Sequence, residues 1–189
     1  FDDPHERWAA FSADGLAGYR DRRDLPAIDG TSRLSAGLKF GLIHPRQLLA
    51  SCDPSDAHHV TFASELAWRD FYADVLFREP RTAWENLDRR FDRLPVDTDS
   101  AAVARFEQWC EGRTGFPIVD AGMRQLRDVG WMHNRVRMIA ASFLVKDLHL
   151  PWQWGARHFM RRLVDGDLAS NNHGWQWTAG CGTDAAPYF

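Results

Sequence analysis

With 189 residues, 44% of them hydrophobic, the chain can bury a substantial core and is too apolar to be a disordered segment. No apolar run approaches the roughly 18 residues that cross a bilayer, and the opening FDDPHERW lacks the basic-then-apolar order of a secretory signal, so a soluble, cytoplasmic protein without membrane partners is expected. The formal charge of −3 conceals 21 Arg against 2 Lys, so any surface for nucleic acid has to be a local patch.

Runs of alternating β-branched residues are absent, as is helix–strand alternation, and the expected fold class is all-α, one helical domain over residues 1–189. Helices are predicted to begin after Gly30 to Ser32, at Pro45, near Thr61, near Ser100, at Pro117, at Trp131 and near Trp154; several have Pro at the first helical position or a Ser/Thr/Asp cap. Residues 79–99, rich in Arg, Asp and Pro, read as an irregular link with at most a short helix; a boundary there is the alternative to one domain. The closing GDLASNNHGWQWTAGCGTDAAPYF mixes large aromatics with Asn and Gly, the vocabulary of a core with that of a turn, and is expected to be a loop forming a pocket wall.

Cys52, Cys110 and Cys181 are far apart and odd in number, which fits a reducing compartment rather than a disulfide framework. No metal site is expected, because the best candidate set, Cys52 with His58 and His59, matches no zinc spacing. Nine Trp are a surplus for a domain of this size, and indole is demanding to bury because its N–H needs a partner.

Two stretches carry an unusual face. On a helix, Glu65, Trp68, Arg69 and Tyr72 of SELAWRDFYADVL fall at i, i+3, i+4 and i+7, with Asp70 and Asp74 opposite. The plain alternative is an i, i+4 ion pair from Glu65 to Arg69 flanked by surface aromatics. In GWMHNRVRMIAASFLVKDL the same spacing joins Trp131, Asn134, Arg135 and Met138, while Val136, Ile139, Ala140, Phe143 and Leu144 supply a core face. Stripes of this kind that face each other would line a cleft suited to a flat heteroaromatic ligand. In DGTSRLSAGLKFG, Gly30, Thr31 and Ser32 are placed at a helix start with Arg33 and Ser35 in its first turn, where N–H groups and the dipole favour phosphate; an ordinary N-cap is the alternative. Asp165 and Asp167, just before Asn171 and Asn172, can pair with Arg or end a helix.

Taken together, GTSRLS, ELAWRDFY, GRTGFPIVDAGMRQLRDVGWMHNRVRMIAASFLVKDL and LVDGDLASNNHGWQWTAGCGTDAAPYF resemble the flavin-binding helical domain of the DNA photolyase and cryptochrome family, from about Tyr19 to the last residue. The resemblance is nearest to the class I enzymes acting on cyclobutane pyrimidine dimers. It implies a multi-helical FAD-binding fragment, with an N-terminal α/β antenna domain and further C-terminal helices lying outside it and the chain stopping at DAAPYF. An antenna pigment would belong to that other domain, and a monomer is expected.

By matching motif positions, the resemblance implies that Tyr19, Thr31, Ser32, Arg33, Leu34 and Ser35 hold the phosphates and ribityl chain of FAD. Phe62, Arg69, Tyr72, Trp131 and Gly166 join the cofactor set. Arg137 pairs with Asp165 beside the flavin, Asp167 sits close by, and Asn171 faces the flavin N5. Glu65, Trp68, Asn134, Arg135, Met138 and Trp177 match positions facing damaged DNA, whose lesion has to leave the duplex to reach the cofactor. Glu65 and Asn171 are also the implied catalytic groups, together with Trp175 and then Trp152 as an electron chain to the flavin. A third, surface Trp usual in the family is missing upstream of Trp109, where Val96 or Asp99 stands, which puts that chain in doubt. His173 stands where Gly is common, and Phe62 where some relatives have Trp. The implied activity is light-driven electron transfer from reduced flavin to the dimer. Asn171, and Asn134 where enzymes of the (6-4) type have His, favour dimer repair over a cryptochrome-like photosensor, and Met138 supports the same choice. A cofactor-free DNA-binding module, suggested by the Arg excess, is the third alternative.

Overall fold

A computed structural model describes residues 3–183. The expectation attached to the terminal DAAPYF falls on residues 184–189, outside the described residues. Helices dominate, and among the described residues there is no strand. The chain forms two compact units, Phe1–Phe71 and Tyr72–Phe189.

In the first unit, α1 (Pro4–Ala10) starts where Pro4 supplies a helical φ and the Asp3 carboxylate accepts from the His5 N–H. A π turn (Phe11–Gly15) and a short 3-10 turn (Leu16–Gly18) carry it to α2 (Tyr19–Arg22). Next come α3 (Ser35–Lys39) and α4 (Pro45–Leu49), the latter opened by His44 and Gln47 in reciprocal capping bonds. The long α5 (Ala57–Arg78) follows, and the boundary between the units falls within it. The core here is aromatic: Phe62 stacks on Trp8 at 5.3 Å and meets the edge of Tyr19 at 5.3 Å, with Leu16, Leu34, Ile43 and Leu48 around them.

The second unit opens with 3-10 turns at Pro80–Ala83 and Arg89–Arg93, as expected for the irregular link. It continues through α6 (Ser100–Cys110), α7 (Pro117–Val129), α8 (Asn134–Ser142), α9 (Trp152–Arg162) and α10 (Leu168–Ala179). Asp99 caps α6 by accepting from the Ala102 N–H at 2.8 Å. Helix α7 buries Val119, Gly122, Met123 and Leu126, a single stripe at helical spacing, and Gly130 ends it at φ 67°, a conformation only glycine takes without strain. In the first turn of α7, Asp120 ties down the preceding loop: burial pushes its pKa up, but bonds from Thr114 and the Gly115 N–H outweigh this and hold it below the usual carboxylate range. Trp109, with no exposed surface, donates its indole N–H to the Ala140 carbonyl at 3.1 Å and joins α6 to α8.

Three sequence expectations need correction. The helix expected after Gly30 to Ser32 begins at Ser35, because Arg33 takes a left-handed φ of 51° and Arg7 Nε holds the Ser32 carbonyl at 2.7 Å; Arg33 is therefore outside any first turn and pairs with Asp29 at 3.1 Å. The helix expected at Trp131 begins at Asn134, where the His133 ring accepts from the Arg135 N–H, leaving Trp131 in the link that precedes it. The tail read as a loop is helix α10, opened by the Asp167 carboxylate on the Ser170 N–H at 2.9 Å and closed by Gly180 at φ 81°. Smaller displacements put α5 four residues ahead of Thr61 and α9 two ahead of Trp154.

Two outcomes follow from this packing. The Trp175 ring covers Gly155, where an added Cβ would collide with its Cη2. Gly155→Val should lower stability by about 1–3 kcal/mol or more through overpacking, read as a lower urea midpoint with the slope unchanged. His158, half-buried, has its pKa pushed down from 6.5 to about 4 by burial and then by Arg162 and Arg161. The folded ring stays neutral while the unfolded ring gains a proton below pH 6.5, so this contribution is complete above that pH and is lost as pH falls toward 4. A His158→Gln variant should show a flatter fall of Tm across that window than the wild type.

Candidate functional site

In the second unit, α8, α10 and the turn between α9 and α10 surround a cavity of about 140 Å3. Asp165 lies in that turn with its side chain only 2% exposed. Arg137, from α8, donates to Asp165 Oδ2 at 2.9 Å and, through Nε, to the Met132 carbonyl at 2.8 Å. The other carboxylate oxygen, Oδ1, is buried and has no hydrogen-bond partner among the described residues. An acceptor held in this way is expensive to leave unmet and favours a ligand N–H donor.

Helix α10 supplies the facing wall. Asp167, Ser170, Asn171, Gly174, Trp175 and Thr178 all line the cavity, at spacings of 3, 1, 3, 1 and 3 residues that mark one helical face. Both Asn171 amide hydrogens are engaged, by the Ala156 carbonyl at 3.1 Å and by Asn172 Oδ1 at 2.8 Å, so its own oxygen is the atom left to accept from a ligand. Met138, Ala141, Phe159 and Trp175 make the apolar part. The result is one charged edge, one amide and an aromatic wall, a combination that suits the edge of a flat nitrogen heterocycle.

What orients α10 is a buried polar seam on its other face. Asn172 donates to the Ala83 carbonyl at 2.6 Å, and Gln176 donates to the Thr82 carbonyl and accepts from the Leu87 N–H, both at 2.8 Å. His173 lies between the Ala169 carbonyl at 2.8 Å and the Thr82 hydroxyl at 3.0 Å, and stacks on Tyr72 at 5.6 Å. Burial pushes its pKa below the ordinary histidine range, keeping it neutral within the seam.

The structure thus brings Asn134, Arg137, Met138, Asp165, Gly166, Asp167, Asn171 and Trp175 to one cavity. Arg135 and Met138 also border an adjoining apolar groove beside Phe116 and Phe143. Trp152 is elsewhere, buried with its indole donating to Asn86 Oδ1 at 2.8 Å. Trp131 sits edge-on to His133 at 6.4 Å, and Trp177 is half-buried on α10; neither lines the cavity. In the first unit, Tyr19, Leu34 and Phe62 are core residues, while Thr31, Ser32 and Ser35 lie at or before the start of α3. Trp68 is half exposed. Glu65 does not pair with Arg69 as local spacing suggested: its Oε1 accepts from Arg23, whose guanidinium lies 5.6 Å from the Tyr19 ring, and Arg69 donates to the Leu38 carbonyl at 3.3 Å. Burial first, partly opposed by the Arg23 charge, pushes the Tyr19 pKa up to about 12.

Sequence reasoning missed Ser170, Gly174, Thr178, Ala141 and Phe159 as cavity residues, and Arg23 as the partner of Glu65. The three on α10 were detectable, since Asp167 and Gly180 are ordinary start and stop signals that would have turned the tail into a helix with one polar face. Arg23 is 42 residues from Glu65 and carried no local signal.

Fold and cavity define an all-α ligand-binding domain whose site centres on a buried Arg–Asp pair. A family profile described as the FAD-binding domain of DNA photolyase matches residues 62–189, and the chain belongs to that family. Over 95% of its length it is 47% identical to a deoxyribodipyrimidine photo-lyase of Vibrio cholerae, covering 39% of that protein. The crystal structure of a class III photolyase from Agrobacterium tumefaciens superposes with a TM-score of 0.92 at 40% identity, over 98% of this chain and 39% of the other. A cryptochrome from Synechocystis sp. superposes at 0.85 and 32% identity, over 98% and 40%. The chain therefore spans about two fifths of the length of these relatives.

FAD is the cofactor of this family, and the cavity suits its ring edge: the unmet Asp165 Oδ1 and the Asn171 oxygen are acceptors for ring N–H groups, and Arg137 offsets the carboxylate charge. A volume of about 140 Å3 holds one edge of such a ring and no more. Arg137→Ala would strand the Asp165 carboxylate in a buried setting and should cost about 3 kcal/mol, whereas Asp165→Asn with Arg137 intact should cost less; urea unfolding of the two variants measures the difference.

Proposed function

We propose that the chain is the flavin-bearing part of a DNA photolyase that repairs cyclobutane pyrimidine dimers with light. The observation that carries this reading is the Asp165 carboxylate, one oxygen bound to Arg137 and the other unmet at a cavity that Asn171 also lines. Bound FAD would supply the light-driven one-electron chemistry that no side chain provides. Everything else falls to the residues of the chain.

Asp165 and Asn171 would orient the ring edge, and Arg137 would offset the carboxylate charge. Phe159, Trp175, Met138 and Ala141 would keep water from the reacting face. Asn134 and Arg135, at the start of α8, are suited to the polar edge of an extruded base and to phosphate. Trp68 offers an exposed indole face on which a base can stack, and Glu65, held through Oε1 by Arg23, retains Oε2 to accept from a base N–H. No nucleophile or metal is required.

The test is an absorption spectrum of the natural-length protein carrying this chain, taken with reduced flavin before and after blue illumination with a dimer-containing oligonucleotide. Light-dependent loss of dimer is expected, reduced at least tenfold in Asn171→Ala with flavin still bound. Flavin absorbance without dimer loss would make the protein a photosensor, and a colourless protein would overturn both readings.

A further inference from the structure

A second groove in the same unit runs between α6 and α9. Trp154, Arg157, His158 and Arg161 follow one another at i, i+3, i+4 and i+7, so they share one face of α9; with Val103 and Phe106 from α6 they line a cavity of about 290 Å3. Its floor is aromatic. Phe106 meets the Trp154 ring edge-on at 5.4 Å and stacks at 5.9 Å on the buried Trp109. Trp109 touches Trp175 at 6.1 Å, and Trp175 lines the Arg137–Asp165 cavity, so a layer of rings separates the two sites.

The groove is also positively charged. Arg90 rests on Asp88 and Arg105 on Asp97, yet Arg157 and Arg161 are exposed with no carboxylate in ion-pair range among the described residues. Basic residues in the last turn of a helix suit its dipole, which accounts for Arg161. It does not account for Arg157 at mid-helix, nor for Phe106 and Trp154 left half-buried beside it. Between the arginines, His158 is neutral near pH 7 and available as a hydrogen-bonding group.

We propose that this groove binds a nucleotide, its heteroaromatic ring against Trp154 and Phe106 and its phosphate on Arg157 and Arg161. Guanidinium forks match phosphate oxygens in pairs, and an indole face accepts any base. The volume of about 290 Å3 lies at the lower end of ligand pockets, enough for one nucleotide unit. That nucleotide is either free or one unit of a single strand.

Equilibrium dialysis of radiolabelled adenosine monophosphate against the FAD-loaded protein, freed of excess FAD by gel filtration, decides the matter. One saturable site is expected in the wild type, with adenosine and inorganic phosphate each binding more weakly. Trp154→Ala should weaken uptake about tenfold, the equivalent of one lost stacking contact. The surface pair Arg157→Gln with Arg161→Gln should weaken it at least as much, with circular dichroism and flavin content unchanged. Replacing the probe with thymidine monophosphate or octathymidylate separates the sources: tighter binding of the octamer assigns a single strand, and equal binding assigns free nucleotide. Absence of saturable uptake, or equal uptake by the wild type and the arginine variant, overturns the proposal, whatever the flavin cavity does.

Discussion

The burial of one carboxylate governs the organisation of the second unit. Asp165 is almost wholly removed from water, and an isolated ionised carboxylate there would be prohibitively costly. Arg137 answers half of that demand, and its second bond, to the Met132 carbonyl, ties the pair to the link after α7. Gly130 brings the same link against the turn that holds Asp165, since its carbonyl accepts from the Val164 N–H at 2.9 Å and any Cβ on it would strike Val164. Helices α7, α8 and α9 are thus held around a charge that the fold satisfies only in part, and the unsatisfied part faces the cavity.

Helix α10 shows how a polar sequence becomes a rigid wall. Its buried residues are largely hydrogen-bonding ones, Asn172, His173, Gln176 and Thr178. Asn172 and Gln176 serve the irregular segment from Thr82 to Leu87, whose backbone groups would otherwise lack partners away from water. A fully connected polar seam fixes register more sharply than an apolar contact, because sliding by one residue breaks several bonds together. The opposite face of α10 can then hold Asn171 and Trp175 at fixed positions beside Asp165. His173 belongs to that seam rather than to the cavity, and its ring has a structural use here: a bond to Thr82 and a stack on Tyr72.

The surplus of tryptophan divides by use. Trp109 and Trp175 are packing elements, the first bonded to the Ala140 carbonyl and the second laid over Gly155. Trp152 is a structural donor to Asn86. Trp68 and Trp84 are exposed, and Trp131, Trp154 and Trp177 are half-buried, so these rings retain surface that a base can meet. Counting indoles pointed to aromatic recognition, but burial decides which of them can perform it.

The sequence alone determined the all-α class, the starts of α4, α6 and α7, and the residues that could form a flavin site, because Pro, Asp caps and apolar spacing act over one or two turns. Motif order likewise singled out Arg137, Asp165 and Asn171. It misread the tail as a loop, since Asn, Gly and Trp are weak helix formers by themselves and α10 is stabilised by its buried seam to residues 82–87, about ninety positions away. Local spacing also offered Arg69 as an alternative partner of Glu65, where the fold gives it Arg23. Tertiary structure alone decided those partners, because a buried charge or amide takes whichever complementary group the packing presents, at any separation along the chain.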